Sequence, residues 1–124
     1  AYDVTKAYVL ERKAFGREIA KFQNTRFKMA EMKTEIDIGQ VFVDRCVMDH
    51  NAGKLQDDIA AEAKLWTTEL LCKVVDQCVQ LHGGAGYMWE YPITRMYANA
   101  RIQRIFAGTS EIMKEIIGRA NGFA

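Results

Sequence analysis

Proline is nearly absent from this chain of 124 residues, which contains it once, at Pro92. Folds rich in hairpins and loops use more proline in their turns, whereas helix interiors exclude it. An excess of one charge is also missing, because 17 lysines and arginines face 16 aspartates and glutamates. This balance excludes a generic nucleic-acid-binding domain, which would carry a marked basic excess. The mean hydropathy of −0.19 and the lack of long uncharged apolar runs predict no membrane span.

Cysteine is sparse and odd in number, with three residues, and no secretory signal is readable. Both features predict free thiols in a reducing compartment. Cys46 and His50, like Cys78 and His82, are four residues apart, a spacing that could supply half of a zinc site. If two helices form a hairpin that turns near Gly53, however, Cys78 lies roughly 37 Å beyond the turn. Zinc ligands lie within about 2.3 Å of the metal, so we expect no metal site.

Apolar residues recur at steps of three, four and seven along two long segments, which predicts two long amphipathic helices. The first runs from about Glu18 to a stop at Gly53, and the second opens at Asp57 and ends at Gly83. Their predicted inner stripes are Phe22, Met29, Met32, Ile36, Val43 and Val47, and Leu55, Ile59, Ala63, Trp66, Leu70, Val74 and Leu81.

Shorter helices are predicted over Tyr2–Arg12, over Thr94–Phe106 and after Thr109. The predicted inner face of the helix over Thr94–Phe106 carries Met96, Tyr97, Ala100 and Ile105. That of the helix after Thr109 carries Ile112, Met113, Ile116 and Ile117. The predicted fold class is therefore all-α. It is an antiparallel four-helix bundle with two long helices and shorter C-terminal helices, and it forms one domain over residues 1–124.

Three segments are unusual for a plain bundle. Glu11–Gly16 places an arginine, an aromatic residue and a glycine at a helix break, and arginine is suited to bidentate phosphate contact. Gln80–Gly86 has three glycines that would let a ligand approach the backbone. Phe106–Glu111 places free N–H groups at a helix start, where anions or polarised carbonyls bind. Each segment also has a structural interpretation, as a helix C-terminus, a cap with a turn, and an ordinary N-cap.

Charge is distributed unevenly along the chain. Between Glu11 and Lys33, seven basic residues face three acidic ones. A solvated helix surface explains such a run, and so does a local site for a small anion such as a pyrophosphate.

Taken in order, these segments resemble the C-terminal α-helical domain of the acyl-CoA dehydrogenase family, and most closely its long-chain type. The matching stretches are RKAFG at Arg12–Gly16, Phe22-Gln23, QLHGGAGYMWEYP at Gln80–Pro92, and IFAGTSEIMKEIIGR at Ile105–Arg119. The resemblance implies α,β-dehydrogenation of a fatty acyl-CoA, with FAD as hydride acceptor and an electron-transfer flavoprotein as electron acceptor. It also implies a dimer of dimers, in the bacterial cytoplasm or the mitochondrial matrix.

Site residues follow from the same resemblance. The cofactor contacts expected with a neighbouring subunit's FAD are Arg12, Phe15, Gln23, Gln80 and Gly84. Thr109 and Glu111 would contact this subunit's own FAD. Phe106, Ala107 and Gly108 would bind the substrate, and the N–H of Ala107 would donate to the thioester carbonyl.

Ala107 is a departure from many members of the family, which carry the glutamate base at this position. Long-chain and isovaleryl-type members place the base on an earlier helix, so we expect it upstream of Ala1. The amino-terminal helical domain and the middle β-domain would also lie outside this chain. We therefore expect the isolated chain to fold but to be inactive.

Two alternatives remain open at this stage. One is a stand-alone helical interaction module without flavin. The other keeps the fold and the cofactor but changes the chemistry, as in the acyl-CoA oxidases and flavin monooxygenases that share this domain.

Overall fold

The computed structural model describes residues 1–123 and is almost entirely helical, which confirms the predicted fold class. Its α-helices are α1 (Tyr2–Glu11), α2 (Gln23–Asn51), α3 (Asp57–His82), α4 (Pro92–Arg101) and α5 (Ser110–Ala120). Two short strands, β1 (Lys13–Ala14) and β2 (Arg17–Glu18), pair antiparallel between α1 and α2. Single 3₁₀ turns cover Ile19–Lys21, Gly83–Tyr87 and Ile102–Arg104.

Helix α3 is the centre of the bundle and packs against each of the other four α-helices. The core lies where α3 meets α2 and α4, around Met32, Val74, Cys78 and Ile93. Ile93 and Cys78 are completely buried. Burying an aliphatic side chain of this size stabilises the fold by about 1.5–3 kcal/mol. The segments on either side of α3 are therefore positioned by contacts with one central helix.

Helix ends follow the local signals that the sequence contains. Gly53 follows the C-cap residue Ala52 of α2 and adopts φ +66°, the left-handed conformation common after a helix end. Asp57 and Asp58 occupy the first turn of α3, where the helix dipole favours acidic side chains. Pro92 opens α4, at a position whose N–H needs no helical partner.

The start of α2 was predicted too early. The helix begins at Gln23 and not near Glu18, because the two short strands and a 3₁₀ turn occupy the segment between Lys13 and Lys21. The backbone N–H of Ile19 donates to the carbonyl of Arg12 across 2.8 Å, which closes this reversal of the chain. The α-helical part of the fourth helix is also shorter than predicted, because a 3₁₀ turn follows Arg101.

The predicted inner stripes are only partly buried. Met32 and Val74 are core residues, whereas Val47 and Trp66 are 52% and 46% exposed. Tyr97, Ile105 and Ile112 are about half exposed as well. The other helices surround α3 in a single layer, so the apolar side chains that point away from α3 stay exposed in the described part of the chain.

Two further properties concern the described part of the chain. Over residues 1–123, no helix combines the length and the apolar character that crossing a bilayer demands. The same residues contain no cluster of three or more His, Cys, Asp or Glu side chains that could hold a metal ion.

Candidate functional site

The first feature of the candidate site is a tight hairpin over residues 13–18, here called the Phe15 hairpin. Its strands pair Lys13 with Glu18 and Ala14 with Arg17, which leaves a two-residue loop of Phe15 and Gly16. Both loop residues have positive φ, +52° and +79°. Such loops match the twist of the strands, but a non-glycine residue there costs about 1–2 kcal/mol. Phe15 accepts this strain although its side chain is 95% exposed.

The other side chains of the hairpin differ in their engagement. The Arg17 guanidinium lies 4.1 Å from the centre of the Phe22 ring, and the Phe15 ring meets the same ring edge-on at 6.3 Å. Arg12 is exposed, and its side chain makes no ion pair or hydrogen bond within residues 1–123. Gln23, the first residue of α2, is exposed too. The Phe15 hairpin and its neighbours Arg12 and Gln23 thus present an aromatic ring, an unpaired guanidinium and an amide to the outside.

His82, the last residue of α3, packs against α1, the helix that precedes this hairpin. The Tyr8 ring stacks on the His82 ring at 4.1 Å, and the Tyr8 hydroxyl donates to the His82 carbonyl at 3.2 Å. His82 Nδ1 lies 2.8 Å from the Cys78 carbonyl oxygen, and the ring is buried. This histidine is a packed side chain. Because Arg12 follows Tyr8 by one helical turn, the first two predicted segments lie at the same end of the bundle.

The glycine segment, residues 83–86, follows directly. Gly83 has φ +59°, a conformation that L side chains rarely adopt. A Cβ on Gly86 would lie 2.5 Å from the Val79 carbonyl oxygen, so the close approach of the two backbones requires glycine there. A Cβ on Gly84 would meet open space, and its backbone has no positive φ. Gly84 and Gln80 are both exposed, and no contact within residues 1–123 requires a glycine at position 84.

The second feature is the loop of residues 105–109, here called the Ala107 loop. Ala107 has φ +53° and Gly108 has φ +105°. Among residues 1–123, Phe15 and Ala107 are the only non-glycine residues with positive φ. Phe106 is about half exposed, and Ala107 is exposed as well. Strained backbone of this kind persists only where the surroundings determine it.

Side chains of α3 hold the Ala107 loop from both sides. Lys64 Nζ donates to the Gly108 carbonyl at 2.5 Å. Glu69 accepts from the Ser110 hydroxyl at 2.6 Å and from Arg104 Nη1 at 2.8 Å. The hydrogen bond from Ser110, followed by that from Arg104, lowers the pKa of the Glu69 carboxyl.

Thr109 caps α5, as the sequence predicts. Its Oγ1 accepts the backbone N–H of Ile112 at 3.3 Å. The pKa of the Glu111 carboxyl is lowered by hydrogen bonds from the backbone N–H of Glu111 and from the Thr109 hydroxyl. Within residues 1–123, no group accepts the backbone N–H of Ala107 or of Thr109 in hydrogen-bonding geometry. These two N–H groups are therefore available as donors just before α5.

The structure does not bring all predicted site residues together. Gln80 and the Phe15 hairpin lie at the C-terminal end of α3, whereas Lys64 and Glu69 hold the Ala107 loop beside its first half. At 1.5 Å per residue, Gln80 is roughly 17–24 Å along the helix from these two side chains. The chain thus presents two separate groups of candidate residues.

The described structure is an all-α bundle with two strained, exposed loops, one basic and aromatic and one with free N–H groups. Residues 1–121 match the family described as "Acyl-CoA dehydrogenase, C-terminal domain", and the chain belongs to this family. The resemblance stated from the sequence is thereby confirmed.

Relatives and solved structures agree. The mitochondrial long-chain specific acyl-CoA dehydrogenase of Sus scrofa is 50% identical over 118 residues, which are 95% of this chain and 27% of that protein. An acyl-CoA dehydrogenase structure from Geobacillus kaustophilus is 45% identical with a TM-score of 0.96, covering 98% of this chain and 32% of that one. A structure described as an FAD complex of PigA is 30% identical with a TM-score of 0.91, over 98% and 32% of the two chains. The chain thus spans about a third or less of the length of these relatives.

Proposed function

We propose that residues 1–124 are the C-terminal helical domain of an FAD-dependent acyl-CoA dehydrogenase that oxidises fatty acyl-CoA thioesters. The observation that carries the proposal is the position of the two strained non-glycine residues. Phe15 and Ala107 both lie in segments that resemble the family's cofactor and substrate contacts, and both are exposed. Strained backbone conformations cluster at functional sites.

The Phe15 hairpin and the glycine segment fit one part of FAD. The exposed guanidinium of Arg12 suits a dianionic pyrophosphate, and the Phe15 ring suits the adenine face. Gln23 and Gln80 offer amide hydrogen bonds, and the open space where a Cβ of Gly84 would stand admits a close ligand. In this proposal these five residues contact the FAD of a neighbouring subunit.

The Ala107 loop fits the other part of the site. Thr109 and Glu111 would contact the FAD of their own subunit. Phe106 and Gly108 would line the acyl-CoA thioester. The free N–H of Ala107 would donate to the thioester carbonyl and stabilise the negative charge that develops there when the α-proton leaves. The separation of the two groups along α3 agrees with contacts to two different cofactor molecules.

FAD, when bound, supplies the acceptor for the hydride that leaves the β-carbon. This chain's residues would orient the cofactor and polarise the thioester. In this proposal they supply no base, because position 107, where many members of the family carry the glutamate base, is alanine. The carboxylates of Glu69 and Glu111 flank the loop, but hydrogen bonds lower the pKa of both, which makes them weak bases.

The isolated chain is therefore expected to be inactive, with the base on an earlier helix of the parent enzyme. The parent is expected to contain an amino-terminal helical domain and a middle β-domain, to form a dimer of dimers and to pass its electrons to an electron-transfer flavoprotein. The proposed compartment is the bacterial cytoplasm or the mitochondrial matrix.

FAD titration of the protein encoded by the complete parent gene, after removal of its flavin, tests the cofactor site. Arg12→Ala should weaken FAD binding about 10-fold or more, because a charge-assisted contact is lost. Arg45→Ala is the matched control, since Arg45 pairs with Asp49 on the exposed surface of α2. Equal FAD affinity of both variants and the parent protein would contradict the proposed role of Arg12.

Turnover assays test the chemistry. The complete protein should dehydrogenate a long-chain acyl-CoA with electron-transfer flavoprotein as acceptor, whereas the 124-residue chain should not, even with added FAD. Rapid reoxidation by oxygen would indicate an oxidase or monooxygenase instead. Turnover by the 124-residue chain would show that the assignment of the base is wrong.

A further inference from the structure

The direction of the Ala107 loop is fixed by a small group of polar side chains on α3 that have no counterpart at the Phe15 hairpin. Lys64 and Glu69 lie on one helix and reach the loop across 44 and 41 residues of sequence. Lys64 contacts the centre of the loop, at the Gly108 carbonyl. Glu69 contacts its two flanks, Arg104 before it and Ser110 after it.

We propose that Lys64 and Glu69 are positioning residues, which hold the Ala107 loop so that its free N–H groups point towards the substrate carbonyl. The proposal rests on the proposed function and adds two residues that do not touch the substrate. Glu69 fixes where the loop enters and leaves the surface of α3. Lys64 fixes the peptide plane between Gly108 and Thr109, because its ammonium holds the carbonyl of that peptide.

Lys64 also has an electrostatic consequence. The Gly108 carbonyl and the Thr109 N–H belong to the same peptide group. A cation on the carbonyl oxygen polarises that group and makes its N–H a stronger donor. The Thr109 N–H finds no acceptor within residues 1–123, so this polarised donor is available to a ligand.

The packing around the loop leaves little freedom for compensation. A Cβ on Gly108 would lie 2.5 Å from Met113 Cε, and Ser110 is buried. Ala107 itself is exposed. We infer that its positive φ depends on the contacts at Gly108 and at the two flanks, Arg104 and Ser110.

The first test uses the 124-residue chain and needs no cofactor. In Lys64→Met, the three-bond coupling between the amide and α protons of Ala107, which reports φ, should change, and the Thr109 amide proton should shift. The matched control is Lys73→Met, because Lys73 lies on the same helix and pairs with Glu35. The control should leave both signals unchanged. Identical signals in Lys64→Met and wild type would overturn the proposal.

The second test uses the complete enzyme. Lys64→Met should lower kcat about 10- to 100-fold, since a small misorientation of a donor has effects of this size, while KM changes less than twofold. Lys64→Arg, which keeps a donor, should recover most of the loss, and Lys73→Met should keep wild-type kcat. A merely structural role would lower the melting temperature with kcat intact, and that outcome would overturn the proposal.

Ser110→Ala provides a second variant if Lys64→Met does not fold. It removes one donor to Glu69 and should lower kcat in the same direction by a smaller factor, whereas unchanged kcat would contradict the role of Glu69. If the wild-type complete protein neither binds FAD nor oxidises acyl-CoA, the proposed function fails. The coupling measurement at Ala107 still decides whether Lys64 positions the loop.

Discussion

The Phe15 hairpin and the Ala107 loop each contain a strained non-glycine residue, but different contacts stabilise the two segments. Both place a non-glycine residue at positive φ, +52° and +53°. The hairpin is closed by backbone hydrogen bonds and by rings that pack on one another, and it leaves Arg12 unpaired. The Ala107 loop is held by an ammonium and a carboxylate from α3.

The difference indicates what each region offers to a ligand. In the proposed function, the Phe15 hairpin and Arg12 would present a ring and a guanidinium, side chains that can adjust to a cofactor. The loop presents backbone N–H groups, whose direction cannot adjust without moving the chain. A backbone donor therefore needs rigid support, and the polar contacts from α3 supply it.

The largest expected effect on stability distinguishes Gly86 from Gly84, two glycines of the segment that follows α3. Gly86→Ala should lower the free energy of unfolding by about 2–3 kcal/mol, because its Cβ meets the Val79 carbonyl oxygen. Gly84→Ala should change it by less than about 0.5 kcal/mol, since its Cβ meets open space, yet it should weaken FAD binding by the complete protein. Chemical denaturation and FAD titration measure the two effects. Equal destabilisation by both substitutions would show that the glycine segment is a purely structural turn.

The next effect concerns the support of the Ala107 loop. The pKa of Glu69 is lower in the folded state, so its contribution to stability is present above pH 4.5 and is lost as pH falls through the folded value. Glu69→Gln should therefore lower the free energy of unfolding by about 1 kcal/mol at pH 7. The difference in this free energy between the variant and wild type should become smaller as the pH falls.

Glu115→Gln is the control for this pH dependence. Glu115 pairs with Arg119 on the exposed face of α5, so the substitution should have little effect at any pH. Denaturation curves from pH 3 to pH 7 compare the variants. If the free-energy difference between Glu69→Gln and wild type did not change with pH, the lowered pKa of Glu69 would not be its cause.

The smallest effects compare the two strained residues directly. Ala107→Gly should raise the free energy of unfolding by about 0.5 kcal/mol, because relief of strain exceeds the entropy cost of glycine. Phe15→Gly relieves the same strain but loses the edge contact with Phe22, so its net effect should be about zero. Thermal denaturation of the two variants measures the difference. Clear destabilisation by Ala107→Gly would show that the positive φ there carries no strain.

The sequence predicts the fold well where the signal is local. Gly53, Asp57 and Thr109 mark helix ends through their own backbone or side-chain chemistry, and the structure confirms all three. The Phe15 hairpin was missed because its signal is a two-residue loop that interrupts a helical pattern. Phenylalanine is not a residue from which positive φ is expected.

The support of the Ala107 loop could not be predicted in the same way. Lys64 and Glu69 contact residues that lie 35 to 44 positions away in the sequence, and local spacing carries no information on such contacts. The available signal was a lysine and a glutamate next to the apolar stripe of α3, which is also usual for a surface helix. The roles of Arg12, Gln80 and the other proposed cofactor contacts stay predictions until FAD binding is measured.

The visible absorption spectrum of the protein purified from the complete parent gene tests the central claim most directly. The account predicts the two absorption bands of a bound flavin, and it predicts that Arg12→Ala weakens the retention of that flavin during purification. A colourless protein that also takes up no added FAD would contradict the account. The Phe15 hairpin and the Ala107 loop would then be structural turns of a helical interaction module.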